Sequence, residues 1–476
     1  MDLNLSEEDW ATFLSRTHDR ELQELKQLNA YYEGEQELSY MHPELLKEIG
    51  DQIRQVVINW PQLVVDAVEE RLDVEGFRYP KTDSADGELW RIWQANCMDV
   101  KSQQAHTDAL AMKRSFLVTG TNAKDSTTPL VTAESALQMY ADFDPATREI
   151  RAALKRYNEI DPLTAAVRDR YATLYRPDAT VWFKSAGPGT WTVVDRDDHK
   201  VGTPLVAVLP NRGRLLVPGG VSELRAVLPL SDAACKMATD LMVGAEFHAL
   251  PRRAAFGFAE EDFVDVNGKP LSVWSRLAGR IWSTSKTRKE DGADVIQFPA
   301  ADLKNFTDTI EALARIVAAL AALPPNYMGL AADDAASADA IRSREARLVK
   351  RCERKQKPFG EGYERMNRLI MRIIDGGWDP RLQQLETLWR DPATPTFAQK
   401  ADATVKLVQA HVIPVEQGRE DLGYTSGQLA RMREMDQRAL DRAMAGDYAA
   451  GYGPKPLPEE PAEPGEAAPA DPLPVE

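Results

Sequence analysis

One short pattern in the sequence matches a known catalytic element. Ser283 and Lys286 stand in the order S-x-x-K, in which a lysine amine can take the proton of a serine hydroxyl and activate it as a nucleophile. The companion motifs that complete such a site are missing, and the pattern lies beside β-like sequence rather than at the start of a helix. We therefore interpret it as a chance match to a four-residue pattern.

Metal binding and thiol chemistry have weak candidates as well. The cluster Asp195 to His199 offers oxygen and nitrogen ligands, but no second set of ligands is apparent, so a solvated turn is the better interpretation. The three cysteines, Cys97, Cys235 and Cys352, are far apart and odd in number, which fits neither a disulfide framework nor a zinc site. We expect three buried thiols that behave as small apolar residues in a reducing compartment.

The patterns that mark common enzyme classes do not occur in this sequence. It contains no G-x-x-x-x-G-K-[ST] phosphate loop, no H-E-x-x-H, no C-x-x-C and no G-x-S-x-G, and no two of its six histidines are spaced i, i+4. The sequence therefore predicts a protein that is not an enzyme and uses no cofactor.

Length and charge narrow the class of protein further. A chain of 476 residues exceeds what one hydrophobic core supports, and 43% hydrophobic with 28% charged residues is ordinary for a globular protein. The richest apolar stretch, Ile310 to Leu323, contains Glu311 and Arg315, and the N-terminus lacks a secretory signal, so no membrane association is expected. The net charge of −16 disfavours tight, non-specific wrapping of nucleic acid.

Charge is concentrated in two opposite segments. Between Arg342 and Lys357, eight basic residues stand against two acidic ones. Such a run is more often a solvated or inter-subunit face than a nucleic-acid contact. From Pro454 to Glu476 the chain has six acidic residues, one lysine and eight prolines, so we expect this tail to be disordered.

The N-terminal half is predicted to combine helices with an antiparallel sheet. Ser6 can cap a first helix that Gly34 ends, and Asn59 with Pro61 begins a second helix. From Phe116 to Val221, β-rich segments such as SFLVTG, TVWFK and TWTVVD alternate with Gly, Pro, Asn and Asp. The predicted fold class is α+β, mostly helical.

The next part of the chain is predicted to be two helices around a small insert. One helix runs from Leu230 to Leu250, an insert with β-like pieces spans Arg252 to Pro299, and a second patterned helix begins at Asp302. Because helices that flank an insert bury their apolar stripes against each other, this pair should project the insert outward.

A long helix is expected after the pair. The loop LPPNYMGLAADDAAS separates the pair from a helix that runs from Ser337 to about Asp375. Pro358 lies inside this helix, where a proline removes a backbone hydrogen bond and produces a kink. Further helices are predicted from Phe397 to about Met444.

Six segments, taken in order, resemble one known family. They are YYEG followed by HPE (31–44), INWPQLVVDAVEERLDVEGFR (58–78), FHALPRR (247–253), QFPAADLKNFT (297–307), LPPNYMGL (323–330) and SADAIRSREARLVKRCERKQKPFGEGYE (337–364). Together they are similar to the portal proteins of tailed double-stranded DNA bacteriophages, particularly the long-tailed actinobacterial type, over about residues 5 to 445.

The resemblance implies a portal-type fold that assembles as a ring, usually of twelve subunits, at one capsid vertex. Carried onto this chain, it places a wing at 1–228, stem helices at 229–251 and 300–323, a clip at 252–299, a tunnel loop at 324–337, a kinked helix with the rest of the wing at 338–396, a short crown at 397–445, and an acidic tail at 446–476 that lies outside the resemblance.

The resemblance also implies partners and a location. The partners are further copies of the chain, double-stranded DNA that passes through weakly bound, the terminase large subunit, the head-tail adaptor, and the major capsid and scaffold proteins. The location is the portal vertex of the virion, after assembly in the host bacterial cytoplasm. Two alternatives stay open: another virion structural protein such as a head-tail adaptor, and a packaging-motor enzyme subunit, against which the missing phosphate loop speaks.

Four groups of residues carry this functional hypothesis. The tunnel loop contains Pro324, Pro325, Asn326, Tyr327, Met328, Asp333 and Asp334. The stem group contains Met237, Leu241, Ala245, Phe306, Ile310 and Leu313. The clip docking group contains Glu260, Glu261, Asp262, Trp274 and Trp282. The basic kinked helix contains Arg342, Arg344, Arg347, Lys350, Arg351 and Pro358. A conduit must not grip DNA, so small and acidic residues suit the loop, although an ordinary surface connector is an equal alternative.

Overall fold

The computed structural model describes residues 5–37, 56–80, 82, 85–187, 189–249, 253–257, 288, 292, 294–297, 302–330, 338–393, 397–424 and 426–451. They belong to two compact units, residues 1–393 and residues 394–476.

The described residues combine helices and antiparallel strands, which confirms the mixed α+β class. The helices are α1 (Glu7–Glu33), α2 (Trp60–Glu69), α3 (Gly87–Ala95), α4 (Met98–Ala111), α5 (Leu228–Ala249), α6 (Lys304–Ala321), α7 (Ala338–Asp375), α8 (Phe397–Gln409), α9 (Val415–Asp421) and α10 (Ser426–Gly451). The strands are β1 (Val74–Arg78), β2 (Arg114–Gly120), β3 (Leu130–Ser135), β4 (Met139–Phe143), β5 (Ile150–Ile160), β6 (Val167–Tyr175), β7 (Thr180–Gly187), β8 (Thr190–Asp197), β9 (Val206–Pro210), β10 (Arg253–Phe256), β11 (Asp294–Gln297) and β12 (Glu386–Trp389).

The ends of the first two helices follow the local sequence signals. The Ser6 hydroxyl accepts a hydrogen bond from the Asp9 backbone N–H at 3.1 Å, and Gly34 ends α1 in the left-handed conformation with φ of 72°. The Asn59 side chain accepts from the Gln62 N–H at 3.2 Å, and Pro61 lies in the first turn of α2. These caps confirm the predicted helix boundaries.

A five-stranded antiparallel sheet in the order β4-β5-β6-β7-β8 is covered by α1. Trp10 and Leu14 of α1 are buried in one cluster with Leu154 and Phe183 of the sheet. The longest strand, β5, was not predicted, because its sequence RAALKRYNEI is rich in helix-forming residues. Pairing on both sides, with β4 and β6, overrides that preference.

A three-stranded sheet in the order β3-β2-β9 packs against α7. The two approach closely at Gly362, where an added Cβ would lie 2.4 Å from Cδ2 of Leu209 and 2.8 Å from the carbonyl oxygen of Val208. Only glycine fits at this position, so any larger residue would push the helix off the sheet.

An aromatic cluster fills the core between α4, α7 and β12. The His106 ring stacks on Phe359 with ring centroids 5.1 Å apart, and its Nε2 lies 2.8 Å from the Tyr363 hydroxyl. Burial lowers the pKa of His106 to about 3, so the ring is neutral at any physiological pH.

Strands from opposite ends of the first unit close this core. β1 and β12 pair antiparallel, with Val74 opposite Trp389 and Arg78 opposite Glu386. The Trp389 ring lies 5.7 Å from His106 and 6.0 Å from Tyr363. The unit is therefore complete only when residues near 390 join residues near 75.

The second unit contains α8, α9 and α10. Gly418 of α9 faces Thr404 and Val408 of α8 so closely that an added Cβ would lie 2.9 Å and 2.8 Å from their methyl groups. Arg419 of α9 forms an ion pair with Asp436 of α10. These contacts hold the three helices together.

Candidate functional site

The predicted helix-insert-helix arrangement is present as α5, β10, β11 and α6. The two helices pack against each other, and the strands that follow α5 and precede α6 form an antiparallel pair, with Arg253 opposite Gln297 and Phe256 opposite Asp294. We call α5, β10, β11 and α6 the helix pair. The two helices were expected at Leu230 to Leu250 and from Asp302, and they run from Leu228–Ala249 and Lys304–Ala321.

The face of α6 that packs inward consists mostly of small residues. Its buried residues are Ala314, Val317, Ala318 and Ala321, whereas Leu320 is about half exposed. Small residues let α6 approach its neighbours closely, so the packing surface is made of alanines and not of the largest side chains.

The predicted stem residues flank the buried faces of the pair. On α5 the buried side chains are centred on Ser231, Ala234, Cys235 and Ala238. The predicted stem residues are all partly exposed: Met237, Leu241, Ala245, Phe306, Ile310 and Leu313. Within one chain they are therefore incompletely covered.

Five large apolar side chains of the helix pair are exposed to solvent by 48% to 55%, namely Met242, Phe256, Ile296, Ile316 and Leu320. We call these five residues the exposed apolar group. Single exposed apolar side chains are common, but five on two helices and their connecting strands indicate a surface that another molecule covers.

The C-terminus of α6 is bound by two arginines of α7. The Arg347 guanidinium donates to the carbonyl oxygen of Ala319 at 2.9 Å, and the Arg351 guanidinium donates to that of Ala321. The last carbonyls of a helix lack partners inside the helix and carry partial negative charge, which a cation stabilises. The spacing i, i+4 places both arginines on one face of α7.

The chain after α6 is held by a tyrosine. Residues Pro325–Met328 form one 3-10 turn, in which the Tyr327 hydroxyl accepts from the Arg71 guanidinium at 2.8 Å and lies 3.4 Å from the Glu345 carboxylate. Arg71 and Glu345 also form an ion pair at 3.3 Å. The first half of the predicted tunnel loop is thus fixed to the turn after α2, through Arg71, and to α7, through Glu345.

The predicted loop residues are not equivalent. Pro324 is buried, Pro325 and Asn326 are exposed, and Tyr327 and Met328 are half-buried against the main core. Asp333 and Asp334 lie outside the described residues. The Tyr327 hydroxyl and its two charged partners hold 324–330 in place.

A buried carboxylate organises the base of the helix pair. The Glu223 side chain is completely buried and contacts the cations Arg351, Lys355 and Arg212, the last at 3.2 Å. The Lys355 ammonium also donates to the Asn211 side-chain oxygen. One carboxylate therefore joins the segment after β9 to α7, and through Arg351 to the end of α6. We call these residues the Glu223 cluster.

The electrostatics of this cluster follow from burial. Desolvation, reinforced by the guanidiniums of Arg212 and Arg351, pulls the pKa of Lys355 below its ordinary value, whereas the Glu223 carboxylate in contact with it favours the charged ammonium. Desolvation also lowers the pKa of Arg351 to about 10. Three cations share one buried anion, so loss of Glu223 would leave them without compensation.

The basic run of α7 therefore divides into two parts. Arg342, Arg344 and Lys350 are exposed. Arg351 and Lys355 are buried in contact with Glu223, so the interpretation of the whole run as a solvated or inter-subunit face is wrong for these two. The sequence carried no local signal for this pairing, because Glu223 lies more than a hundred residues upstream.

Pro358 lies inside α7, as predicted, and this helix is 38 residues long in total. Its missing N–H removes one hydrogen bond to the preceding turn.

Several candidates of the sequence lie outside the described residues or are simpler than expected. The clip residues Glu260, Glu261, Asp262, Trp274 and Trp282 and the Ser283 to Lys286 pattern are outside the described ranges. In the described parts of the chain, no cluster of three or more His, Cys, Asp or Glu side chains could hold a metal ion.

The thiols and the acidic turn have ordinary surroundings. Arg196 pairs with Asp198 at 2.9 Å, and the His199 ring accepts from the Val201 backbone N–H at 3.3 Å. Cys235 and Cys352 are buried, but Cys97 is exposed, so the expectation of three buried thiols is wrong for Cys97. It begins α4 with φ of 53°, a position that leaves its side chain at the surface.

A helix pair with a small β tip, a large exposed apolar group and a tightly paired base indicates a structural protein that assembles with other molecules. The family model for "Phage portal protein, SPP1 Gp6-like" matches residues 12–441. The chain therefore belongs to the phage portal protein family, whose members are structural virion components that form homo-oligomeric rings and interact with capsid and packaging proteins.

Two curated relatives are similar over most of the chain. The portal protein of Mycobacterium phage D29 is 36% identical over 430 residues, which cover 87% of this chain and 85% of the relative. The portal protein of Mycobacterium phage L5 is 35% identical over 420 residues, which cover 86% and 84%. In the part of the chain that the structure describes, no helix is both long enough and apolar enough to span a bilayer.

Proposed function

We propose that twelve copies of this chain form a closed ring at one capsid vertex, through which genomic double-stranded DNA is packaged and ejected. The observation that supports this arrangement is the exposed apolar group of the helix pair. In a cyclic assembly, the pair of one copy lies beside the pair of the next, and apolar side chains that one chain leaves exposed become buried between copies.

The division of the chain in this proposal follows the portal architecture. α5 and α6 are the stem, 252–299 is the clip, 1–228 with 338–396 forms the wing, and 397–445 forms a short crown. The base of the stem is the Glu223 cluster, which joins α6 to both parts of the wing, through Arg351 of α7 and through Glu223. The base is rigid because its charges are paired inside one chain, which suits an element that bears load as DNA passes.

The segment 331–337 lies in this proposal at the lining of the channel. It follows Leu330, which packs against the hydrophobic core with Tyr327, and it precedes α7 in the chain. Its sequence has small residues around Asp333 and Asp334. Short acidic side chains repel phosphates and leave few groups that hold a sliding duplex.

The clip in this proposal docks the terminase large subunit during packaging and the head-tail adaptor afterwards. The wing contacts the major capsid and scaffold proteins, and the ring assembles in the host bacterial cytoplasm. The part supplied by this chain is geometric and electrostatic and includes no catalytic step.

The mass of the purified assembly tests the ring. Twelve copies of the 53.0 kDa chain give a particle of about 640 kDa, which native mass spectrometry resolves from neighbouring subunit numbers. A closed ring with a central hole in negative-stain images supports the proposal. A chain that stays monomeric at high concentration in both low and high salt contradicts it, and a small open oligomer favours an adaptor instead.

Salt-dependent DNA retention tests the channel lining. The double variant Asp333→Lys, Asp334→Lys should assemble normally but retain double-stranded DNA more strongly at low salt, since each added phosphate contact steepens the dependence by about one log unit per log unit of salt. The matched control is Asp195→Lys, Asp197→Lys, which makes the same charge change on the exposed end of β8. Equal retention by the two variants would remove 331–337 from the DNA path.

A further inference from the structure

A cleft of about 550 Å³ lies between the five-stranded sheet, the turn before β9 and the C-terminal half of α7. Its lining includes Trp10 of α1, Arg176 at the end of β6, Arg365 and Arg368 of α7, and Trp378 beyond α7. None of these residues belongs to the helix pair, the Glu223 cluster or the predicted channel segment. The proposed function therefore leaves this cleft without a role.

The cleft presents arginines whose charge is incompletely paired. Arg365 is largely buried, and its guanidinium donates to the Val206 carbonyl and to the Thr203 hydroxyl at 2.9 Å each, both of which are neutral. Arg368 approaches the Glu361 carboxylate only to 3.9 Å. Arg176 lies over the Trp10 ring at 5.3 Å.

The other charged groups in the lining do not cancel this excess. Arg151 is paired with Asp142, which leaves Asp144 and Glu149 as the acidic members of the lining. Asp144 is partly exposed and accepts hydrogen bonds from the backbone N–H groups of its own turn. Three arginines against two carboxylates leave the cleft with a positive balance that an anionic ligand would neutralise.

The cleft also has an unpaired hydrogen-bond donor. Trp10 is 3% exposed, and among the described residues its indole N–H has no acceptor. Buried polar groups in folded proteins almost always have a partner, so such a donor beside a cavity points to an acceptor supplied by a ligand. Trp378 is half exposed at the same cleft, so aromatic surface is available to the same ligand.

The chain contains a segment with complementary chemistry. Residues 454–476, which lie outside the described residues, hold eight prolines and six acidic residues, with P-E-E-P at 458–461 and P-A-E-P at 461–464. Proline-rich segments adopt an extended helix of three residues per turn without internal hydrogen bonds, so their carbonyls are free to accept. Aromatic-lined grooves bind such segments, and carboxylates at regular spacing can pair with flanking arginines.

We infer that the acidic, proline-rich tail of one copy binds in this cleft on a second copy. Prolines of 458–464 pack on Trp378, a backbone carbonyl accepts from the Trp10 indole N–H, and Glu459, Glu460 or Glu463 pairs with Arg176 and Arg368. The tail thereby links neighbouring subunits through a contact separate from the helix pair. The inference rests on the proposed ring, but an experiment can show loss of tail binding while the ring stays intact, and the reverse.

Photo-crosslinking in the full chain tests the location of the tail. A benzophenone amino acid placed at position 378 should crosslink to peptides from 454–476. The same group at Leu163, an exposed residue in the turn between β5 and β6 that does not line the cleft, should not. Co-expression with a second copy that carries Ala462→Val as a mass label identifies the donor of the tail. Crosslinks to the labelled tail support the inference, while crosslinks only to the probe's own tail, or to other segments, overturn it.

Peptide binding tests the chemistry. The host is the full chain with Glu459, Glu460, Glu463 and Glu466 changed to Gln, so that its own tail no longer competes. A fluorescent peptide of residues 454–476 should bind it, and Arg176→Glu with Arg368→Glu should weaken binding by about tenfold or more because two attractions become repulsions.

The matched control for this titration is Arg168→Glu with Arg170→Glu. Both arginines are exposed on β6 outside the cleft, and the charge change is the same. Equal weakening by both pairs would show non-specific attraction between an acidic peptide and any basic surface. Unchanged affinity in the cleft variant would overturn the inference, as would equal binding of a peptide in which every acid is replaced by its amide.

Discussion

The Glu223 cluster at the base of the helix pair and the exposed apolar group differ in where their contacts come from. At its base, the carbonyl of Ala321 is bound by Arg351, which is itself bound to Glu223. One residue earlier, the side chain of Leu320 is half exposed to solvent. The charges of the base are paired inside one chain, whereas the exposed apolar group is left in contact with solvent.

This contrast separates what a single chain can stabilise from what the assembly must supply. Charged groups that are buried need their partners during folding, because an unpaired buried charge costs several kcal/mol. Exposed apolar side chains cost little while they remain in water and add free energy when another copy covers them. Changes at the base should therefore affect folding, and changes in the apolar group should affect assembly.

The largest expected effect is on the base. Glu223→Ala leaves Arg212, Arg351 and Lys355 without their common anion, so the free energy of unfolding should fall by about 3–5 kcal/mol. The measurement is urea unfolding of the full chain. Glu386→Ala, which removes an exposed partner of Arg78 at 2.7 Å, is the control and should cost less than about 1 kcal/mol. Similar losses in the two variants would show that the cluster is not a structural centre.

The next largest effect is on the exposed apolar group. Ile316→Asp should weaken each contact between copies by about 2–3 kcal/mol, because a charge replaces an apolar side chain in a buried interface. Mass photometry should show a shift from rings to smaller species with unchanged thermal stability of the chain. Arg315→Ala makes the same change in net charge one residue away and should leave the ring population intact. If it disperses the rings equally, charge and not apolar contact controls assembly.

A third prediction concerns acid. The folded-state pKa of His106, about 3, lies below its ordinary value of 6.5, so the unfolded chain takes up a proton that the folded chain refuses. Stability contributed by the neutral ring is therefore present above pH 6.5 and is lost as the pH falls toward 3, by about 2 kcal/mol between pH 7 and pH 5. His106→Gln should remove this part of the pH dependence. His411→Gln, at an exposed position in α8–α9, should preserve it.

The smallest expected effect is at Tyr327. Tyr327→Phe keeps the ring that packs on the core but removes the hydroxyl between Arg71 and Glu345, which still contact each other at 3.3 Å. The free energy of unfolding should fall by about 1 kcal/mol. Tyr171→Phe, which removes an exposed hydroxyl 3.2 Å from Glu159, serves as the control and should be near neutral. A larger loss than at Glu223 would reverse the ranking of the two anchors.

Local signals in the sequence were sufficient where the structure depends on neighbouring residues. Ser6, Gly34, Asn59 and Pro61 act within one turn of the helices they begin or end, so their roles can be read directly. The helix-insert-helix order was also visible, because apolar periodicity identifies the helices and turn-rich sequence separates them. The family resemblance joined these elements into a portal-type chain.

Sequence patterns did not predict the features that depend on contacts between residues far apart in the chain. The residues of β5 favour a helix, and only their pairing with β4 and β6 makes them a strand. In sequence, Arg351 and Lys355 cannot be told from Arg342 and Arg344. In the structure they differ because they contact the buried carboxylate of Glu223, which is distant along the chain. Tyr327 gave no sign that it would anchor its loop, because its partners Arg71 and Glu345 come from two other segments.

The pairing of β1 with β12 has a consequence for synthesis on the ribosome. β1 can pair with β12 only after the ribosome has synthesised the chain from Val74 to Trp389. At about 5–20 residues per second, this synthesis takes roughly a quarter of a minute to a minute. During that time the side of Phe77 and Trp93 that Tyr363 and β12 later cover stays open to chaperones. A chain that ends before β12 cannot close this core. Only chains that extend past Trp389 should therefore fold this unit and become available for assembly.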